Sequence, residues 1–132
     1  MALNVPDVGE NRILEMIVNK TAPQDLSLRL FINNITPADT DTAATYTVAT
    51  FSGYGNIALA GASWNNAASG SISYGSQQTF TCSGAATDDV YGYYVVQLVS
   101  GVLLWSERDG AAPFAVRNSG DEVRLTPALS AN

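Results

Sequence analysis

Apolar residues in this chain recur mostly at every second position and, in one place, at every third or fourth. The helical spacing lies in Val5 to Lys20, VPDVGENRILEMIVNK, where Ile13, Leu14, Ile17 and Val18 form a stripe. The pattern predicts a helix over 5–20. Pro6 sets its entry, Asp7 is placed to cap it with Glu10 three residues on, and Lys20 suits the negative end of its dipole. Such a helix either lies on a sheet as a lid or serves as an arm that docks on a neighbouring subunit.

Alternation governs the rest. In Asp25 to Asn33, Leu26, Leu28, Leu30 and Ile32 fall on one face and Ser27, Arg29 and Phe31 on the other, which predicts a half-buried strand. Further extended segments are expected over Tyr46 to Tyr54, with a short helix within Thr42 to Phe51 as the alternative there, and over Asn56 to Ala60, Ile72 to Tyr74, Gln77 to Cys82, Pro113 to Arg117 and Glu122 to Leu125. The last two are joined by the turn-forming Asn118-Ser119-Gly120-Asp121, while the stretch Asn33 to Ala44 and the stretch Ser83 to Asp89 read as loop or turn.

The longest apolar stretch runs from Gly92 to Gly110, two runs separated by Ser100-Gly101, and predicts a central hairpin. With a two-residue turn, Val99 faces Val102. One face then carries Leu98, Leu103, Val96, Trp105, Tyr94 and Glu107, and the other carries Val99, Val102, Gln97, Leu104, Val95, Ser106, Tyr93 and Arg108. The second face holds too many branched side chains to be wet. A second sheet, the helix or another copy of the chain is expected to cover it. Candidate interface residues are therefore Ile13 and Ile17 of the helix with Val95, Val99, Val102 and Leu104 of the hairpin. Short strands separated by Gly-rich turns predict a mainly β chain: a single-domain antiparallel β-sandwich or open barrel over 1–132, with one short N-terminal α-helix.

Composition narrows the function classes. The chain has 132 residues, only 14% of them charged, and twelve acidic against six basic residues give a net charge of −6. That balance argues against a phosphate-backbone partner, so no nucleic acid is expected. No apolar run approaches the ~18 residues of a membrane span, and no membrane partner is expected. The start MALNVPDVGENR lacks the pattern of a secretory signal. Cys82 is the single cysteine and no histidine exists, which excludes Ser-His, Cys-His and His-metal chemistry and an intrachain disulfide. Cys82 reads as a small strand residue rather than a reactive thiol.

Carboxylates are the remaining candidate chemistry. Asp39 and Asp41 share one loop and Asp88 and Asp89 another, either able in principle to feed a calcium site; solvated loop carboxylates are the simpler expectation. Glu107 and Asp109 flank Arg108 at a strand end, where an exposed salt-bridged edge is expected rather than a glycosidase pair. Tyr54, Trp64, Tyr74, Tyr91, Tyr93 and Trp105 could form a sugar-stacking platform, or fill a core. No enzyme activity, cofactor or metal is expected.

Taken in order, VPDVGE at Val5 to Glu10, ITP at Ile35 to Pro37, YTVATFSGYG at Tyr46 to Gly55, GYYV at Gly92 to Val95, LLWSER at Leu103 to Arg108 and GDEVRLTPAL at Gly120 to Leu129 give the chain its resemblance. It resembles small virion structural proteins of tailed bacteriophages, of the capsid decoration or cement kind. The resemblance implies a non-enzymatic protein made in the host cytoplasm and carried on the capsid exterior. Its implied partners are the major capsid protein and itself, as a homo-oligomer, a dimer or trimer. A carbohydrate- or receptor-binding module of a tail or fibre, and a head–tail or tail-tube component, are the alternatives.

Overall fold

The computed structural model describes residues 3–131; residues 1, 2 and 132 of the expected domain lie outside the described residues. The chain is mainly β, with one α-helix, and its strands pair antiparallel throughout. In order they are β1 (Leu3–Asn4), α1 (Asp7–Ile17), β2 (Leu26–Phe31), β3 (Ile57–Leu59), β4 (Ser71–Ser73), β5 (Gln78–Thr81), β6 (Asp88–Val90), β7 (Gly92–Gln97), β8 (Leu103–Arg108), β9 (Phe114–Val116), β10 (Glu122–Leu125) and β11 (Ala128–Ser130).

A five-stranded sheet in the order β1-β8-β7-β2-β3 forms the middle of the molecule. Leu28 and Leu30 of β2 lie opposite Val95 and Tyr93 of β7, and Val95 lies opposite Trp105 of β8. This face is covered by three two-stranded ladders, β5 with β10, β4 with β11 and β6 with β9. They bring Phe80, Tyr74, Val90 and Val116 into one buried cluster with the central strands. The architecture is thus the expected sandwich-like packing of two β layers.

The opposite face is also closed by the chain itself. Phe31, Tyr94, Val96 and Leu103 are buried there under Tyr46, which stacks on Tyr94 at 4.9 Å and meets Phe31 edge-on at 4.9 Å. Residues 33–48, expected as a loop followed by a strand, form this cover through Ile35, Ala43 and Tyr46, whereas Ala49 and Phe51 belong to the first cluster. The cover adds a 3₁₀ turn, Ala43–Thr45, and a single bridge from Val48 to Phe31.

The hairpin exists, in a different register. Its loop has four residues, 98–101, closed by the Gln97 N–H donating to Val102 O at 2.9 Å and the Gly101 N–H donating to Gln97 O at 2.9 Å. Gly101, at φ 74°, makes the left-handed step that ends the loop. Val96 then pairs with Leu103 rather than Trp105, and an irregularity beside Val95 makes Leu104 an extra, unpaired residue before Val95 meets Trp105. Trp105 therefore shares its face with Val95, not Val96. The expected hairpin between the last two extended segments is also absent: β9 pairs with β6 and β10 with β5. β1, β6 and β11 had no expected strand assigned to them.

α1 packs on the edge of the central sheet, against β8. Pro6 occupies its N-cap, so the expected Asp7 cap is not made, and no side chain caps it. Instead the Asp7 N–H donates to Asp39 O at 2.8 Å, tying the helix start to the covering segment. Asp7 and Glu10 stand in the first turn, where negative charge is favourable. Lys20 lies beyond the helix, whose last turn has no basic residue. Gly9 is the buried position of α1: a Cβ there would overlap the backbone carbonyl of Leu104. That close approach presses the helix onto β8 and decides which residues it turns outward.

Candidate interaction surface

With Gly9 seated on β8, helical geometry sends Leu14, Ile17 and Val18 away from the sheet. They are 61%, 73% and 72% exposed, and their three- and four-residue spacing makes them one ridge. The hairpin loop adds Leu98 and Val99, the latter 85% exposed. Loop and helix belong to one end of the molecule. The Val99 and Ser100 N–H groups both donate to Gln24 Oε1 at 3.1 Å, and Gln97 Nε2 lies 3.7 Å from Met16 Sδ on α1. Ser100 Oγ donates to Gln97 Oε1 at 2.7 Å and stiffens the loop further. A loop held by three such contacts, with Gln97 beside it fixed against α1, presents Val99 in a defined place instead of letting it fold back.

The six residues singled out from sequence therefore divide. Ile17 and Val99 are on the exposed surface. Ile13 is half-buried and, with Met16, lines an apolar groove of about 250 Å³ whose other walls include Leu26, Trp64, Trp105 and Leu129. Val102 is half-buried and packs against the main core. Val95 and Leu104 are buried in the subunit core, with Leu104 at the floor of that same groove. The reason is the register: the bulge turns Leu104 onto the face with Val95 and Trp105, and that face is covered by the second β layer. Leu14, Val18 and Leu98 belong to the surface. Helical spacing marks Leu14 and Val18 as apolar members of the stripe, but of its residues only Ile13 and Ile17 are expected at an interface, because spacing alone does not say which side of a stripe faces the sheet.

Fully burying a side chain of this size is worth about 1.5–3 kcal/mol relative to leaving it in water. Five such exposed side chains together forgo an amount comparable to the ~4–15 kcal/mol that association costs. A contact to which two surfaces contribute such a patch is favourable; a contact made by one alone is marginal.

The loop carboxylates have structural work. Asp41 is buried, and its Oδ2 accepts the Ala38 N–H at 2.9 Å and the Tyr46 hydroxyl at 2.8 Å. Tyr46 Oη also lies 2.7 Å from Ser106 Oγ. Burial raises the Tyr46 hydroxyl well above its ordinary range, so it stays protonated. Asp88, also buried, accepts the Thr50 N–H at 2.7 Å, and Asp89 pairs with Arg117 at 2.7 Å. Asp41 and Asp88 are thus not the solvated carboxylates expected; each stitches the 36–51 segment to a strand or to itself. Asp39 is exposed.

At the strand end, Glu107 and Arg108 point to opposite faces and make no ion pair among the described residues. Glu107 accepts the Tyr93 hydroxyl at 2.8 Å, whereas Arg108 donates to Asn34 Oδ1 and Ile35 O and lies over the Tyr91 ring at 5.0 Å. Tyr74, Tyr93 and Trp105 are buried. Trp64 packs edge-on against Tyr74 and Trp105, and Tyr54 stacks on Phe80. The aromatics considered for sugar stacking are thus engaged with other aromatic rings, with Glu107 or with Arg108. Cys82 is buried and its thiol donates to Gly84 O. Among the described residues, no helix is long and apolar enough to cross a membrane, and no group of three acidic or cysteine side chains is placed to hold a metal. No protein-family model and no curated protein matches the chain.

Proposed function

We propose that this protein is a non-enzymatic structural component of a virion, a capsid decoration or cement protein that associates with copies of itself and braces contacts between major capsid proteins. The observation that carries this reading is the exposed apolar ridge of α1 and its C-cap, Leu14, Ile17 and Val18, together with the exposed Leu98 and Val99 of the hairpin loop. A subunit whose two sheet faces are filled from its own chain leaves that ridge as an unused apolar surface, as permanent assembly partners do. The acidic balance of −6 suits an outer position better than contact with packaged nucleic acid. The short motifs from Val5 to Leu129 add the resemblance to phage virion proteins.

A glycan-reading module gains no support from the aromatic side chains, which are engaged within the subunit. The test is the copy number of the chain in purified particles of the virus that encodes it, by quantitative mass spectrometry. Hundreds of copies per particle are expected; a dozen or fewer would place it in a tail or portal structure, and none would remove it from the virion.

A further inference from the structure

A second feature lies at the other end of the β7–β8 ladder, away from the hairpin loop. A cleft of about 230 Å³ opens between that end of the central sheet and β10. Leu30 and Val90, both fully buried, and the half-buried Leu125 make it apolar at depth. Phe114, 40% exposed, also lines it. Three carboxylates, Glu107, Asp109 and Glu122, share the lining with one guanidinium, Arg124.

Their pairing leaves negative charge unspent. Arg124 is taken by Glu122, through Arg124 Nε donating to Glu122 Oε2 at 2.7 Å. Glu107 Oε1 accepts the Tyr93 hydroxyl at 2.8 Å, and Asp109 Oδ1 accepts the Ala111 N–H at 2.7 Å. Each of these two carboxylates is therefore positioned through one oxygen. The second oxygen of each has no hydrogen-bond partner, and neither has a cationic partner, among the described residues.

We propose that this cleft seats a basic side chain, lysine or arginine, presented by a protein partner. An aliphatic stem suits the apolar depth and Phe114 that line the cleft, and a cationic head suits the two free carboxylate oxygens. The volume is below the roughly 300–1,000 Å³ of clefts that hold metabolites, and matches a single side chain better than a whole small molecule. The net charge of −6 adds a long-range field favouring a basic partner. This inference stands on the cleft alone and does not depend on the virion reading.

The test is an amide NMR titration of the whole chain with N-acetyl-argininamide, N-acetyl-lysinamide and N-acetyl-citrullinamide, the last being neutral and the same shape as the first. Saturable shifts at Val90, Tyr93, Phe114 and Leu125 are expected with both cations, and binding of the citrulline compound at least about tenfold weaker. The double variant Glu107→Gln, Asp109→Asn keeps an acceptor for Tyr93 and Ala111, and should lose arginine binding by a similar factor. Equal binding of arginine and citrulline, an unaffected double variant, or no saturable shift with either cation up to about 50 mM would overturn the proposal. Should the variant fail to fold, the arginine–citrulline comparison on the natural chain decides alone.

Discussion

Gly9 shows how a single residue sets the outward face of an element. Any side chain there would push into the Leu104 carbonyl, which is backbone and cannot swing aside. Gly9→Ala should destabilise the fold by about 1–3 kcal/mol, read from chemical denaturation. Gly55→Ala, where a Cβ meets nothing within 4 Å, should stay within about 0.5 kcal/mol of the natural chain. Tyr46 is the corresponding polar case. Tyr46→Phe keeps the stacking on Tyr94 but leaves Ser106 Oγ without that partner and Asp41 Oδ2 with only the Ala38 N–H, a loss of about 1–3 kcal/mol in the same assay. Neither residue's role was legible in the sequence. The Leu104 carbonyl and Ser106 lie far along the chain from Gly9 and Tyr46, and no local spacing records such a meeting.

The tyrosines also give the fold a pH dependence with a definite sign. Burial pushes the Tyr54 hydroxyl up to about 12, although the Leu30 N–H donating to it at 3.2 Å works the other way. Tyr46, Tyr93 and Tyr94 are shifted upward, chiefly by burial. An unfolded chain ionises these hydroxyls near pH 10, while the folded chain holds them protonated to higher pH. Their contribution is therefore complete below about pH 10 and is lost as pH rises through about 10 to 12. Denaturant midpoints measured at about pH 8 and about pH 11 should fall at the higher value; an unchanged midpoint would mean that these hydroxyls ionise freely in the folded state.

At the scale of elements, alternation was a good guide to where strands run and a poor one to how they pair. β2 reads directly from Leu26, Leu28 and Leu30 against Ser27, Arg29 and Phe31, because one strand's two faces are a local property. The β7–β8 register is not local. It depends on Gly101 closing a four-residue loop, on Gln24 holding that loop from another segment, and on Leu104 bulging out of the ladder. Asn118 to Asp121 is likewise a real turn, with Asp121 Oδ2 accepting the Arg117 and Asn118 N–H groups, but it joins strands of two different ladders. Those two donors hold the Asp121 carboxyl below its ordinary range. The α1 stripe was legible as apolar, and its direction was not, because Gly9 rather than the stripe chooses the contact with β8. A sharp contrast follows for two substitutions. Leu104→Asp buries a charge in the core and should unfold the isolated subunit. Ile17→Asp should leave circular dichroism and thermal midpoint unchanged while weakening self-association at least about thirtyfold, as loss of a ~2 kcal/mol contact would.

For the molecule as a whole, both faces of the central sheet are covered from within, and of the large apolar side chains left exposed among the described residues all but Phe114 belong to α1, its C-cap and the hairpin loop. Self-association through that helix and loop is the claim on which the proposed assembly role depends. Sedimentation equilibrium on the natural chain and on the double variant Leu14→Asp, Ile17→Asp tests it most directly. The natural chain should sediment as a discrete oligomer, dimer or trimer, and the variant as a folded monomer. A natural chain that stays monomeric across the accessible concentrations, or a variant that keeps the same oligomer, would contradict it.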